Sequence, residues 1–304
     1  MASQAVRDDA VPGRDRGRGD RVGLLPLVLL PAGAWLLAHQ AQAWMLMWAL
    51  SVAVYAGLKW LTWWRARRLA AGNPVTRSLG YLLAWPGMDA PAFLDAARHG
   101  AAPSLLELAG AAGSVALGAT LFWGVARLAA VPLAAGWIGL FGLIFVLHFG
   151  AFRFASIFWR TLGVDAVPLM RAPILAGSLG ELWGRRWNTA FHVLARDLLV
   201  APLRSRVGMP GAVMAAFLAS GLVHDLVLSV PAGAGYGLPT AYFLLQGTGL
   251  LSERTRLGRR FGLATGLRGR LFALAVAGAP AFLLFHPPFV VGVIVPFMRA
   301  VGAL

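Results

Sequence analysis

The sequence has 304 residues, of which 59% are hydrophobic and 13% are charged, with a formal net charge of +15 and no cysteine. This composition excludes an ordinary soluble domain and indicates a polytopic membrane protein. The absence of cysteine excludes disulfides, thiolate nucleophiles and thiolate metal sites.

The positive charge comes almost wholly from arginine, since Lys59 is the only lysine. The arginines flank apolar segments, as the positive-inside rule describes for cytoplasmic loops. They would also suit a partner with phosphates, such as a nucleotide-bearing donor or an anionic lipid. They form no continuous basic patch, so we expect contact with membrane lipids and no nucleic-acid partner.

Residues 1–21 are polar and rich in Arg, Asp and Gly, which predicts a disordered cytoplasmic tail. Residues 22–304 are predicted to form a single membrane-embedded domain. In chain order, the apolar runs predict spans at residues 22–38, 43–64, 104–127, 131–152, 211–230, 238–251, 271–285 and 289–298. The last two are short for full spans, so the predicted number is about eight.

Two segments between spans are predicted to lie at the membrane interface. Residues 69–103 are amphipathic and interrupted by Gly and Pro, and their core, residues 80–90, is too short to cross a bilayer. Residues 153–209 contain Ser178 and Glu181 at capping-box spacing, which predicts a helix start. The predicted fold class is an all-α polytopic bundle of about eight transmembrane helices with interfacial amphipathic helices.

From Trp187 onward, apolar residues recur at helical spacing on one face of the second segment. Asn188, His192 and Arg196 form a separate polar stripe at i, i+4 and i+8. This pattern predicts a helix that lies in the interface with its apolar face down.

The arginines also predict the topology. With the amino terminus inside, the loops at residues 65–98, 153–206 and 254–270 all fall on the cytoplasmic side. An even number of spans then leaves both termini cytoplasmic. We expect an integral, multi-pass protein of a bacterial-type inner (cell) membrane.

His224 and Asp225 lie side by side in the apolar segment Gly211–Leu228. An ionisable residue at membrane depth usually faces the bundle interior and has a function there. A buried neutral imidazole is a good general base for a hydroxyl, although a structural histidine bonded to a neighbouring helix is the alternative. Ser220, one turn earlier, is expected to orient the ring through its side chain. Asp225, about 100° round the helix, is expected to pair with an arginine.

The remaining polar candidates have plainer alternatives. The Asn188 amide could orient a thioester or donate to an oxyanion, or it could simply bond lipid or backbone. Gln246 lies in a predicted span. An amide inside a helical bundle more often bonds a neighbouring helix than a substrate. His192 is the second histidine to consider, whereas His148 is interpreted as packing. No phosphate-binding loop, nucleophile elbow or zinc motif occurs, so we expect no metal and no bound cofactor.

The motif SLGELWGRRWN, residues 178–188, is followed by FLASGLVHDL, residues 217–226. This pair resembles the wax synthase branch of the membrane-bound O-acyltransferase (MBOAT) superfamily. That branch has Phe-Trp-Gly-Arg-Arg-Trp-Asn and then Ser-Gly-x-x-His-Glu/Asp; here Leu182 replaces the Phe and Asp225 supplies the acidic position. The segment LLAWPGMDA, residues 82–90, is also similar, so the resemblance covers roughly residues 80–253.

The resemblance implies transfer of a fatty acyl group from acyl-CoA, as co-substrate, to the hydroxyl of a lipid alcohol. His224 maps onto the essential histidine and Asn188 onto the family's Asn or His position, so both are predicted to be catalytic. The residues predicted to bind substrate are Trp183, Arg185, Arg186, Trp187, Ser220, Asp225 and Gln246.

Other functions stay open from the sequence alone. The same chemistry would acylate a small metabolite, a sterol or a glycan hydroxyl. A non-catalytic membrane transporter is a further alternative, although no two-fold internal repeat is visible. The acceptor, the acyl chain length and a homo-oligomeric state are left open.

Overall fold

The computed structural model describes residues 16–70, 72 and 74–304, and every regular element in that part of the chain is a helix. The α-helices are α1 (Arg16–Ala38), α2 (Ala43–Ala70), α3 (Val75–Leu79), α4 (Ala90–Leu94), α5 (Leu105–Ala119), α6 (Pro132–Ile144), α7 (Phe152–Thr161), α8 (Leu179–Glu181), α9 (Thr189–Ala195), α10 (Ala201–His224), α11 (Val230–Ala232), α12 (Leu238–Glu253), α13 (Arg256–Arg260), α14 (Gly266–Gly278), α15 (Ala281–Leu284), α16 (Pro287–Phe289) and α17 (Val295–Ala300). The predicted all-α polytopic class is confirmed.

Turns of π-helix interrupt or extend many of these helices. They lie at Gly80–Ala84, Thr120–Gly124, Phe145–Ala151, Leu182–Arg186, Arg196–Val200, Asp225–Ser229 and Val290–Ile294. Short 3₁₀ turns occur at Val125–Leu128 and Pro173–Leu175. Because a π turn inserts one residue into the helical ladder, it rotates the side chains that follow it, and such turns are frequent at functional sites.

Five continuous helical stretches in the described chain are long and apolar enough to cross a membrane. They are Ala43–Ala70, Leu105–Leu128, Pro132–Thr161, Thr189–Ala232 and Gly266–Leu284. Val22–Ala38 and Pro287–Ala300 are shorter apolar helices, and α12 lies where the sixth span is predicted. Each predicted span therefore coincides with helix, but not each is of full spanning length.

Two boundaries differ from the prediction. Of the tail predicted at residues 1–21, residues 1–15 lie outside the described part of the chain. The remaining residues belong to α1, which begins at Arg16. The fourth span continues to Thr161 rather than ending at Phe152, because Arg160 finds partners at the helix end. Its guanidinium binds the Glu107 carboxylate, with Nη1 and Oε2 2.6 Å apart, and so needs no water.

The predicted interfacial helix and the fifth span are joined at a sharp kink. The stretch Thr189–Ala232 is broken at Gly208, whose φ of 69° and ψ of 171° are not helical. Only glycine adopts this conformation without strain, and Pro210 two residues later removes a further backbone donor. The two halves can therefore run in different directions, as an interfacial helix followed by a span requires.

Residues 69–103 are packed more deeply than an interfacial segment would be. Tyr81, Trp85 and Phe93 are buried in one cluster with five residues of the later region: Val164, Ala166, Leu169, Ala190 and Leu194. This cluster joins the two predicted interfacial segments into one core. The sequence pattern did not reveal it, because the partners lie about 70 to 115 positions apart along the chain.

Lys59 belongs to the same region and is 1% exposed. Its Nζ donates to the backbone oxygen of Gly87 at 2.7 Å and lies 3.1 Å from the centre of the Tyr81 ring. A buried amine needs such partners, since desolvation without them is costly. Lys59 therefore ties the loop of the LLAWPGMDA motif to α2.

Candidate active site

His224 is the last residue of α10 and precedes the π turn Asp225–Ser229. Its Nδ1 lies 2.7 Å from the backbone oxygen of Ser220. Because a carbonyl oxygen only accepts, Nδ1 carries the hydrogen of the neutral ring and Nε2 keeps a lone pair. Ser220 thus orients the ring through its backbone carbonyl, whereas the sequence argument gave this role to its side chain.

The ring of Phe243 lies against His224, with 4.4 Å between the ring centres. Phe243 also meets Trp183 of the first motif at 6.0 Å. Trp183 Nε1 donates to Gln246 Oε1 at 3.3 Å, and the Gln246 amide in turn donates to the Val276 backbone oxygen at 2.7 Å. Three predicted residues, His224, Trp183 and Gln246, are therefore brought together around Phe243.

Phe243 gives no signal in the sequence, because an aromatic residue in an apolar helix is ordinary. Its position depends on Gly221, which lies one turn before Asp225. A Cβ on Gly221 would be 2.6 Å from the Thr240 Cα, so only glycine lets α10 and α12 approach this closely. α12 thus packs directly against the face of α10 that carries Gly221.

Asp225 fastens the same two helices. Its Oδ1 accepts from the Gly237 amide at 2.8 Å and from the Ser229 hydroxyl at 3.0 Å. Its Oδ2 accepts from the Thr240 amide at 3.1 Å and from the Thr240 hydroxyl. A carboxylate is favourable at the start of a helix, here α12. The expectation that Asp225 pairs with an arginine is therefore wrong, and its predicted part in substrate binding stays a prediction.

Asn188 is the N-cap of α9. Its backbone is left-handed, with φ of 44° and ψ of 63°, and its Oδ1 accepts from the Phe191 amide at 3.2 Å. Asparagine tolerates both roles better than most residues. Its side-chain NH₂ donates to no group in the described part of the chain. Within the described chain, no hydrogen bond connects Asn188 to His224, so its catalytic role stays a prediction.

The two motif arginines differ in their contacts. Arg185 is exposed. Arg186 donates to Glu181 Oε1 at 2.7 Å and to the backbone oxygen of Arg171 at 3.1 Å, so it holds the preceding loop. The Gly177 amide and the Arg186 guanidinium hold the pKa of Glu181 below its ordinary value. The helix start predicted at Ser178 is confirmed, because the Ser178 hydroxyl accepts from the Glu181 amide at 3.0 Å.

Glu253 is a positioning residue that the sequence argument missed. It is 3% exposed, and its two carboxylate oxygens accept from the Leu179 and Gly180 amides at 2.9 and 2.8 Å. It therefore fixes the end of α12 to the start of the first motif. An acid at the end of an apolar helix was the available signal.

A cavity of about 240 Å³ lies beside these groups, between the first motif, α9, α10 and α12. Trp183, Phe217 and Phe243 form part of its apolar wall. Its polar lining residues are His192, Arg196 and Arg254. His192, second to His224 in the sequence argument, thus lines a cavity whose wall includes the aromatic ring that contacts His224.

A model described as the membrane bound O-acyl transferase family matches residues 166–245. This segment is thus similar to that family. It contains both motifs on which the resemblance rests, and with them Asn188 and His224. The family match and the apolar helices together support an integral membrane protein.

Curated relatives support the wax synthase branch of the superfamily. The Probable long-chain-alcohol O-fatty-acyltransferase 3 of Arabidopsis thaliana is 35% identical over 111 residues, which are 32% of this chain and 31% of that protein. The Probable long-chain-alcohol O-fatty-acyltransferase 7 of the same plant is 30% identical over 142 residues, 42% of each chain. The Long-chain-alcohol O-fatty-acyltransferase of Simmondsia chinensis is 39% identical over 80 residues, 24% of this chain and 23% of that protein.

The chain spans less than half the length of each of these relatives. The resemblance predicted from the motifs is confirmed over that part. All three relatives are plant proteins, so the bacterial-type membrane stays a prediction.

Proposed function

We propose that this protein is a membrane-bound O-acyltransferase that transfers a fatty acyl group from acyl-CoA to the hydroxyl of a lipid alcohol. The observation that carries the proposal is the imidazole of His224. Its Nδ1 is occupied by the Ser220 carbonyl at 2.7 Å, which leaves Nε2 to accept a proton. The names of the plant relatives, which are long-chain-alcohol O-fatty-acyltransferases, support a lipid alcohol as the acceptor.

In the proposed reaction the alcohol oxygen attacks the carbonyl carbon of the thioester while His224 Nε2 takes the hydroxyl proton. The C–O bond forms, and the tetrahedral intermediate then expels the CoA thiolate as the C–S bond breaks. The imidazolium returns its proton to the thiolate sulfur. The ester and free CoA leave, and no acyl-enzyme is needed, in agreement with a chain that lacks cysteine.

The cavity beside Phe243 is proposed to receive the donor. Arg254 and Arg196 give one part of its lining positive charge, and apolar residues form most of the rest. Phosphates would pair with the guanidinium groups, and the thioester would lie along the apolar wall. At about 240 Å³ the cavity is below the usual ~300–1,000 Å³ of ligand pockets, so only part of the donor would enter it.

The Asn188 amide is proposed to donate to the oxyanion of the tetrahedral intermediate. Its oxygen is already used to cap α9, which fixes the orientation of the side chain. A preorganised donor of this kind stabilises developing charge without reorganisation during the reaction.

The depth of His224 suits a lipid acceptor. It lies 16 residues beyond the kink at Gly208, which is about 24 Å along an α-helix. If the kink marks the cytoplasmic interface, His224 lies past the middle of a hydrocarbon core of about 30 Å. A lipid alcohol reaches that depth from the bilayer, whereas the charged CoA head stays at the cytoplasmic side.

The test is lipid analysis of membranes that contain the protein, supplied with isotopically labelled acyl-CoA and a panel of hydroxyl compounds. Labelled wax esters that form only with long-chain alcohols are expected. If labelled esters form only from a sterol, a glycan or a small metabolite, the acceptor belongs to that class and is not a long-chain alcohol. Absence of any labelled ester from purified, folded protein would contradict the proposed reaction.

A further inference from the structure

A second cavity, of about 590 Å³, lies between α2, the π turn Phe145–Ala151 and the carboxyl-terminal helices. It is within the size range of roughly 300–1,000 Å³ that is usual for ligand pockets. Its walls are aliphatic and aromatic, and none of its lining residues is Arg, Lys, Asp or Glu. A phosphate or a carboxylate would find no opposite charge there, so an ionic headgroup is disfavoured.

The cavity reaches the lateral surface of the protein. Val52 and Leu83 line it, and their side chains are 59% and 82% exposed. Val52 is nine residues from the start of α2, which is about 14 Å along a helix that can cross the membrane. An exposed apolar residue at that depth faces lipid, so a molecule dissolved in the bilayer can enter here.

The polar lining is sparse: Ser51, Tyr55 and His148. The Tyr55 hydroxyl already donates to the Trp85 backbone oxygen at 3.1 Å. The Nδ1 of His148 is buried out of reach of a ligand and has no hydrogen-bond partner among the described residues. His148 as a whole is partly exposed and lines the cavity, so Nε2 is the imidazole nitrogen left for a ligand there to bond.

The His148 ring also contacts the first motif. It stacks on Trp187 with 6.0 Å between ring centres and 16° between planes, and Phe152 meets its other side edge-on at 5.2 Å. The two aromatic rings fix the orientation of the imidazole. Trp187 is four positions after Trp183, which lines the first cavity, so the motif connects the walls of the two cavities.

We propose that this second cavity binds the acceptor alcohol, with its hydrocarbon chain along the apolar wall and its hydroxyl bonded to His148. A neutral imidazole has one donor and one acceptor nitrogen, and a hydroxyl also has both, so the two are complementary. A long-chain primary alcohol fits the apolar lining, the absence of charge and the lateral opening together. That this alcohol is the acceptor rests on the proposed function, whereas its binding does not.

The experiment uses the purified full chain in lipid nanodiscs with a long-chain alcohol that carries a diazirine near its hydroxyl. Irradiation followed by peptide mass spectrometry is expected to place the label within residues 143–155 or at Trp187. Hexadecanol is expected to compete roughly three- to tenfold better than its methyl ether, which cannot donate a hydrogen bond. A label on Val213 of the first cavity, or equal competition by the ether, would overturn the proposal.

Two variants separate the hydrogen bond from the packing. His148→Phe keeps an aromatic ring beside Trp187 and removes both nitrogens, so the preference for the alcohol over the ether should disappear. His99→Phe is the matched control, because His99 is an exposed histidine that lines neither cavity; its preference should equal that of wild type. A persistent preference in folded His148→Phe would contradict the role of His148.

A third variant separates this inference from the proposed function. His224→Ala should still bind and label with the alcohol in the second cavity while forming no ester. If His224→Ala still forms ester, the proposed base is wrong and the labelling result continues to decide the cavity. If wild type forms ester but the label maps outside the second cavity, the assignment of that cavity is wrong and the proposed function still stands.

Discussion

The histidine of the second motif is oriented by its own helix. Its Nδ1 bonds a backbone oxygen four residues earlier, so no other side chain is needed to fix the tautomer. The sequence identified the residue, because a histidine at membrane depth is unusual. It did not identify the partner, because every residue of a helix has a backbone carbonyl.

The first prediction concerns His224 and Ser220. His224→Ala should abolish ester formation, since no base remains at this position, whereas Ser220→Ala keeps the backbone carbonyl and should retain activity near wild type. The measurement is ester produced per mole of folded protein. Ester formation by His224→Ala at the wild-type rate would move the base elsewhere, and His192→Ala would then be tested. A large loss in folded Ser220→Ala would assign a direct role to its hydroxyl.

The second prediction separates the two functions of Asn188. Asn188→Asp keeps an oxygen that caps α9 and tolerates the left-handed backbone, but it removes the NH₂ donor. If the amide stabilises an oxyanion, turnover should fall on the order of a hundredfold with unchanged thermal stability. Single-turnover kinetics and a melting curve measure the two effects. Wild-type turnover in this variant would leave Asn188 as a helix cap only.

At the scale of elements, the site depends on how closely α10 and α12 pack. Gly221 allows the backbones to approach, and Asp225 fastens the start of α12. Phe243, one turn into α12 from Thr240, is thereby placed on His224. The geometry of the base therefore depends on contacts that involve no substrate.

The third prediction follows from this fastening. Asp225→Ala removes the acceptor for two amides and two hydroxyls, so the free energy of unfolding should fall by about 1–2 kcal/mol. The melting temperature in detergent should fall by about 3–6 °C. Asp197→Ala is the control, since Asp197 is exposed and pairs with the adjacent Arg196. An unchanged melting temperature with a raised acceptor KM would instead make Asp225 a binding residue.

The helices were largely predictable and their contacts were not. Apolar runs, Pro132 at the start of α6 and the Ser104 cap of α5 define the ends of helices locally. The packed cluster around Tyr81 and Phe93 depends on partners far along the chain, so amphipathic spacing alone suggested an interfacial segment. The π turn that contains His148 has no sequence signature, and this histidine, interpreted as packing, lines the larger cavity.

For the whole molecule, the arginine distribution predicts an even number of spans with both termini cytoplasmic. The fourth prediction is that a reporter fused after Leu304 is active only on the cytoplasmic side. A second fusion after Gly233, at the far end of the stretch that contains His224, should report the opposite side. A reporter at Leu304 that faces outward would contradict the predicted topology.

The burial of Lys59 has a chemical consequence for a protein proposed to handle thioesters. Acyl thioesters slowly acylate accessible lysines without an enzyme, and this chain has a single lysine side chain, 1% exposed and bonded to Gly87. The folded protein should therefore resist self-acylation at lysine. Incubation with long-chain acyl-CoA and mass spectrometry should find Lys59 unmodified in folded protein and acylated after denaturation. The same mark would report the unfolded fraction of any variant.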